Sequence, residues 1–357
     1  MTPDCTRGRS LPRGLRLGRT EAGSDLAMAL DETPHDALLP GLIPTEEQGS
    51  ESGITVLVAF LANALIALAK SVAALLTGSA SLVAESAHSW ADTGNEIFLF
   101  VAQRRSAKPP DRDHPYGTGR EAYVWSLFAA MGLFVAGAAV SIFRGVQELL
   151  DPRASENLLA GYIVLAIAFV LEGGSFLQAM RQARPEARSL DRDVLEHVLQ
   201  TSDPTLRAVV AEDSVALVGI AVAAVALVLD QVTGSGIPDA IGSLVIGVLL
   251  AGIAIALIEQ NRRFLVGRQT DPEVQDAVVR ALLADPQIER VTYMWIEFAG
   301  PRSITVVADV DLTGDDTERH VAVRLRELER RLSASPGVVR AVLSLSAPDE
   351  PSLTVGG

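Results

Sequence analysis

Six apolar runs, each close to the ~20 residues that a helix needs to cross a bilayer, constrain this chain more than any other feature. They lie at about 54–76, 81–102, 123–147, 158–180, 207–230 and 238–259. A 48% hydrophobic content with only 5% aromatic residues, and a mean hydropathy of +0.28, suits lipid-facing sequence better than a globular core. The charges between the runs set their orientation. Arg104, Arg105, Lys108, Arg112 and Arg120 lie between runs two and three, and Arg181, Arg184, Arg188, Arg192 and Arg207 between four and five. Arg262, Arg263 and Arg268 follow run six, whereas the remaining loops carry only Arg153. By the positive-inside rule both termini are cytoplasmic, and an even number of spans agrees. The expectation is an integral protein of the plasma (inner) membrane, with an organellar membrane as the alternative.

The flanks differ in character. Residues 1–50 have no periodicity and are rich in Arg, Gly, Pro, Ser and acidic residues, which reads as a disordered tail; their Arg-rich start is also compatible with a mitochondrial-type presequence. Residues 51–268 form the transmembrane domain. From 269 to 348 the pattern is soluble: a helix over Asp271–Leu283, strands over Val291–Phe298 and Ile304–Leu312, a helix over Asp316–Leu332 and a strand over Val338–Leu345. That order, αββαβ, predicts a small α+β ferredoxin-like cytoplasmic domain. Residues 349–357 read as a loose tail. The expected fold class is therefore a membrane all-α six-helix bundle with this domain appended. Cys5 is the single cysteine, so an intrachain disulfide and a Cys-based zinc site are both excluded. The net charge of −14 argues against a nucleic-acid partner.

Ionisable side chains inside apolar runs are costly and default to function. Run two concentrates them. Glu85, His88, Asp92, Asn95 and Glu96 fall on one stripe roughly 100° wide when the segment is read as a helix. His88 and Asp92, four apart, can converge on one cation from adjacent turns, and imidazole with carboxylate suits a borderline divalent ion such as zinc. Two ligands are too few for zinc; Asp213 in run five is the candidate third, with Glu212 or Asn95 as further candidates. Glu212 either reaches the site, carries a proton or makes a helix contact. Glu85, Glu96, Glu172, Lys70 and Asp239 are candidates for a proton or ion path, and Glu172 is alternatively a pairing partner for Lys70. Asp111 and His114, with Asp113 between them, make either a loop metal site or a solvated loop.

Together these residues resemble the cation diffusion facilitator family of zinc transporters, over about residues 51–348. The stretch Ser79-Ala-Ser-Leu-Val-Ala-Glu-Ser-Ala-His88-Ser-Trp-Ala-Asp92 is similar to the family's second-helix signature, and Asp-Arg-Asp-His114-Pro-Tyr-Gly-Thr-Gly-Arg to its His-Pro-Phe-Gly-His-Gly loop. The Glu212-Asp213 pair resembles the zinc-transporter-nine branch. The resemblance implies a homodimer with its soluble domains in contact and alternating access driven by a proton gradient. It also implies that Asp239 starts the sixth helix. Three positions depart from the family pattern. Val209 stands where the family has a His or Asp four residues before Asp213, Thr118 replaces a loop His, and Leu345-Ser-Ala347 replaces a His-x-Asp, although His320 matches.

The expected function is secondary active, proton-coupled efflux of a divalent metal cation, zinc first, with manganese, iron or cobalt as alternatives. No covalent bond changes, so the chain is not read as an enzyme, and no organic cofactor is expected. The partners are the metal ion, protons, the lipid bilayer and a second copy of the chain. A membrane-bound metal sensor or scaffold that does not transport is the alternative from another class.

Overall fold

A computed structural model describes residues 53–189 and 192–354. The expected tail at 1–50 lies outside the described residues, as do 355–357. The membrane part contains α1 (Gly53–Thr77), α2 (Ala80–Ser106), α3 (Glu121–Leu150), α4 (Leu158–Ser189), the short α5 (Val194–Gln200), α6 (Pro204–Thr233) and α7 (Ile237–Val266). Their ends follow local chemistry. Gly78, at φ +69°, turns the chain between α1 and α2, and the Ser79 hydroxyl caps α2 by accepting from Leu82 N. Asp203 caps α6, accepting from Thr205 N at 2.9 Å and Leu206 N at 3.3 Å. Within α3, Leu133–Ala139 adopts wide π-helical turns where the helix is buried against α7.

Among the described residues, five helices are long and apolar enough to cross a membrane: α1, α3, α4, α6 and α7. That is one fewer than the sequence suggested. The difference is α2, whose 81–102 stretch is interrupted by Glu85, Asp92 and Glu96. Its neighbours α1, α3, α6 and α7 cover most of its surface, so these groups are sheltered within the bundle. The outward faces are apolar, with Leu65, Leu75, Val170, Val225 and Val248 exposed. An apolar belt of this extent marks a lipid-facing surface, and the protein is an integral membrane protein.

The C-terminal domain comprises α8 (Pro272–Leu283), β1 (Ile288–Gly300), β2 (Ser303–Leu312), α9 (Glu318–Ser333) and β3 (Val338–Leu345). It is a small mixed sheet in the order β1-β2-β3, antiparallel between β1 and β2 and parallel between β2 and β3. Alternation on β2 sends Ile304, Val306, Ala308, Val310 and Leu312 inward, where they meet Val278 and Leu282 of α8 and Leu328 and Leu332 of α9. The stretch after Ala347, expected to be loose, has no regular structure but is tied down as far as residue 353. Arg290 donates to the carbonyls of Ala347 and Glu350, and Leu353 N to Val291 O.

The C-terminal domain is fastened to the helix ends at one side of the bundle. Arg120 pairs with Glu297. Arg302, in the β1–β2 turn, reaches Glu186 at 3.0 Å, and its backbone N–H donates to the Ser202 hydroxyl at 3.0 Å. Phe264 of α7 stacks on Tyr123 and meets Phe298 edge-on. At Gly119 and Gly300 the two backbones approach so closely that a Cβ on Gly119 would lie 2.7 Å from the Ala299 carbonyl oxygen.

Candidate metal site

Four helices wall a cavity of about 250 Å³. From α2 come Ser89, Asp92, Asn95, Glu96 and Leu99, spaced so that one helical face lines it. From α6 come Val209, Glu212 and Asp213, from α4 Leu171, Glu172 and Ser175, and from α1 Ala62, Asn63 and Ile66. The structure thus brings together Asp92, Asn95, Glu96, Glu172, Glu212 and Asp213. The spacing on α2 and α6 predicts most of this set. Ser175 was not foreseen; its signal is its position three residues after Glu172, one helical turn along the same face.

The polar groups here are partly satisfied. Asn95 donates to Glu212 Oε1 at 2.9 Å, and Asn63 donates to Glu96. Ser175 and Asp213 line the same cavity from facing helices. Asp92 Oδ1, Glu96 Oε2, Asp213 Oδ2 and the Ser89 hydroxyl are buried without a hydrogen-bond partner among the described residues. Buried polar atoms are normally paired, so these oxygens mark a place built for something further. Five carboxylates on one small cavity give it a negative potential that attracts cations.

The other expected residues lie around this cavity. His88 is buried but does not line it; its Nδ1 stands 3.4 Å from Asp92 Oδ1 without hydrogen-bond geometry. The trio His88, Asp92 and Asp213 does not close up. Among the described residues no three His, Cys, Asp or Glu side chains stand together as a ready metal cluster. The carboxylates instead face one another across open space. Lys70 and Glu85 form a fully buried ion pair at 3.0 Å, and Lys70 also lies 3.7 Å from Glu172. Asp239 is committed to the start of α2, accepting from the Ser79 hydroxyl at 2.8 Å and from Ala80 N and the Ser81 hydroxyl.

In the loop before α3, Asp111 Oδ1 accepts from His114 N at 2.6 Å and Asp113 N at 2.9 Å, and the His114 ring lies 3.2 Å away. The backbone N–H of His114 is the main cause that holds the Asp111 carboxyl below its ordinary value of 3.8. This local turn uses up one Asp111 oxygen. Thr118 points inward, donating to Arg105 O at 2.6 Å. In the soluble domain His320 is exposed and lies 3.9 Å from Asp316.

The chain is similar to known proteins over most of its length. Residues 56–266 match the cation efflux transmembrane domain. The proton-coupled zinc antiporter SLC30A9, mitochondrial, of Homo sapiens is 34% identical over 262 residues, covering 73% of this chain and 46% of that protein. Metal tolerance protein C4 of Arabidopsis thaliana is 34% identical over 272 residues, 76% of this chain and 59% of its own length. The cation-efflux pump FieF of Shewanella oneidensis is 30% identical over 221 residues, 61% and 68% of the two chains. The chain spans about half the length of the SLC30A9 proteins that it matches. With the transmembrane match extending over more than half of its residues, this chain belongs to the cation diffusion facilitator, or cation efflux, family, in the branch of the zinc transporter nine proteins.

Proposed function

We propose that this protein exports a divalent metal cation, zinc first, in exchange for protons. The observation that carries the reading is the cavity lined by Asp92, Glu212 and Asp213, where Asp92 and Asp213 each hold a buried oxygen without a hydrogen-bond partner among the described residues. The names of its relatives support the cargo and the coupling, since SLC30A9 is called a proton-coupled zinc antiporter. Asp92 and Asp213 bind the ion, His88 joins by a side-chain rotation past Asp92, and Glu212, Asn95 or water completes the shell. A metal ligand must be deprotonated, so protons arriving from the far side displace the ion. Glu85, Glu96, Glu172 and Lys70 surround this route. Manganese, iron and cobalt are the alternative cargoes.

In this reading α2 is the sixth spanning helix, sheltered by its neighbours, and the αββαβ order makes the soluble domain ferredoxin-like. The transport domain runs over 51–268 and the soluble domain over 269–348. Two copies pair through the soluble domains, and both termini are cytoplasmic. The plasma membrane is the proposed location; "mitochondrial" stands in the names of the SLC30A9 proteins, and a fluorescent fusion of the full chain decides between the two.

Purified protein in vesicles under an imposed pH gradient tests the function, with zinc and manganese followed by a fluorescent indicator. Gradient-dependent flux that disappears in Asp92→Ala and Asp213→Ala is the expected result. Binding without flux would favour a membrane metal sensor, the reading that Val209 keeps open by withholding a ligand from α6.

A further inference from the structure

Val209 lies on the cavity wall with Asp213, one turn away on the same face of α6. A donor at 209 would face the ion, but its isopropyl group offers none. Across the cavity, α4 presents a carboxylate in its place. Glu172 lines the same space as Asp92, Glu212 and Asp213. The positive charge available nearby is Lys70. That ammonium is already 3.0 Å from Glu85 and stands farther from Glu172, at 3.7 Å. One ammonium therefore serves two carboxylates in close pairs, and among the described residues neither Asp92 nor Asp213 has a cation in salt-bridge contact, apart from the Nδ1 of His88 at 3.4 Å from Asp92. Uncompensated buried charges are expensive, and a cation is what this group lacks.

A second observation points the same way. The Ser89 hydroxyl, on a residue only 4% exposed, lines the cavity without a hydrogen-bond partner. It joins Asp92 Oδ1 and Asp213 Oδ2 as oxygens with lone pairs to which no described residue donates. Oxygen lone pairs converging on an enclosed space suit a divalent cation. Resting on the proposed export of such an ion, we infer that Glu172 is the ligand that α6 lacks at Val209, so that the cation is held by carboxylates from three helices, α2, α4 and α6. Glu172 exchanges between the Lys70 ammonium in the empty site and the metal in the loaded one, and Lys70 then remains with Glu85.

The test is zinc transport by the full chain in vesicles under a fixed pH gradient. Glu172→Gln should raise the zinc KM roughly tenfold or more, the scale on which losing a metal contact weakens a site. Val209→His in that background, which restores a donor on α6, should bring most of the affinity back. A Glu172→Gln protein with unchanged KM, beside inactive Asp92→Asn and Asp213→Asn proteins, overturns the inference and leaves the proposed function standing. If all three carboxylate variants transport normally, both fail. Should Glu172→Gln not fold, carbodiimide labelling of the unmutated protein gives the answer by mass spectrometry. Zinc should shield Glu172 together with Asp92 and Asp213, and labelling of Glu172 that zinc does not slow, with the two Asp residues shielded, overturns the inference.

Discussion

Lys70 Nζ lies 3.0 Å from Glu85 Oε2, and neither side chain has any solvent exposure. The pair joins α1 to α2. Gly219 of α6 closes over it so tightly that any Cβ there would overlap Glu85 Oε1. Removing one partner leaves the other charged and buried, at a cost of about 3–5 kcal/mol. Lys70→Met should therefore lower the unfolding temperature in detergent sharply, and Glu85→Gln in the same chain should return part of the loss. Equal unfolding temperatures for the single and double variants would show that the pair does not hold these helices together.

Asp239 supports a different prediction. It gathers donors from Ser79, Ala80 and Ser81 at the first turn of α2. Asp92 is eleven residues beyond Ser81, about 16 Å along the helix. Asp239→Ala should cost about 1–2 kcal/mol, as losing a helix cap does, while the zinc KM of the folded protein stays as it was. A shifted KM with unchanged stability would return Asp239 to the ion path.

How far the sequence reaches is clear from three helices. Five of the six expected spans were legible because lipid requires contiguous apolar residues, and α2 departs because its polar stripe breaks the run. The polar face of α2 and the Glu212-Asp213 end of α6 were legible because 3.6-residue periodicity groups side chains before the fold is known. Periodicity does not say what lies behind a face. His88 shares the stripe with Asp92, yet it sits beside the cavity instead of on its wall. The α4 contribution was harder to see, because in Leu171-Glu-Gly-Gly-Ser175 the two polar residues become a face only once α4 meets α2 and α6. The short α5 lies within a polar connection where no apolar repeat announces it.

The contact between Gly119 and Gly300 is a backbone-to-backbone approach with no room for a methyl group. Gly119→Ala should push the loop before α3 away from β1 and weaken the Arg120–Glu297 pair beside it, at about 1–3 kcal/mol for overpacking. Faster proteolysis in the connection at 267–271 is the expected readout. Arg302→Ala, which removes the link to Glu186, should act in the same direction, and the double variant should be cleaved faster than either alone.

The loop turn at Asp111 makes a prediction about pH. Hydrogen bonds from His114 favour the ionised carboxylate, so the folded value lies below 3.8. A lowered value means that the contribution is complete above the ordinary range and is lost as pH falls through the folded value. Protection of the His114 amide against hydrogen exchange should accordingly persist down to the ordinary Asp range and vanish below it. Asp111→Ala should abolish that protection at every pH.

The wide turns at Leu133–Ala139 make the length of α3 a property in its own right. Such turns absorb a residue that a regular α-helix has no place for, and each residue is worth about 100° of rotation. Downstream, Gly145 meets Leu244, Ile142 meets Gly247, and the Ser243 hydroxyl donates to Ser141 O at 2.8 Å. All three contacts with α7 depend on the phase set upstream. Deleting one residue from this segment would straighten the helix and swing its second half off its partner, whereas exchanging one side chain for another would leave the phase alone. In this helix the number of residues carries information that their identity does not.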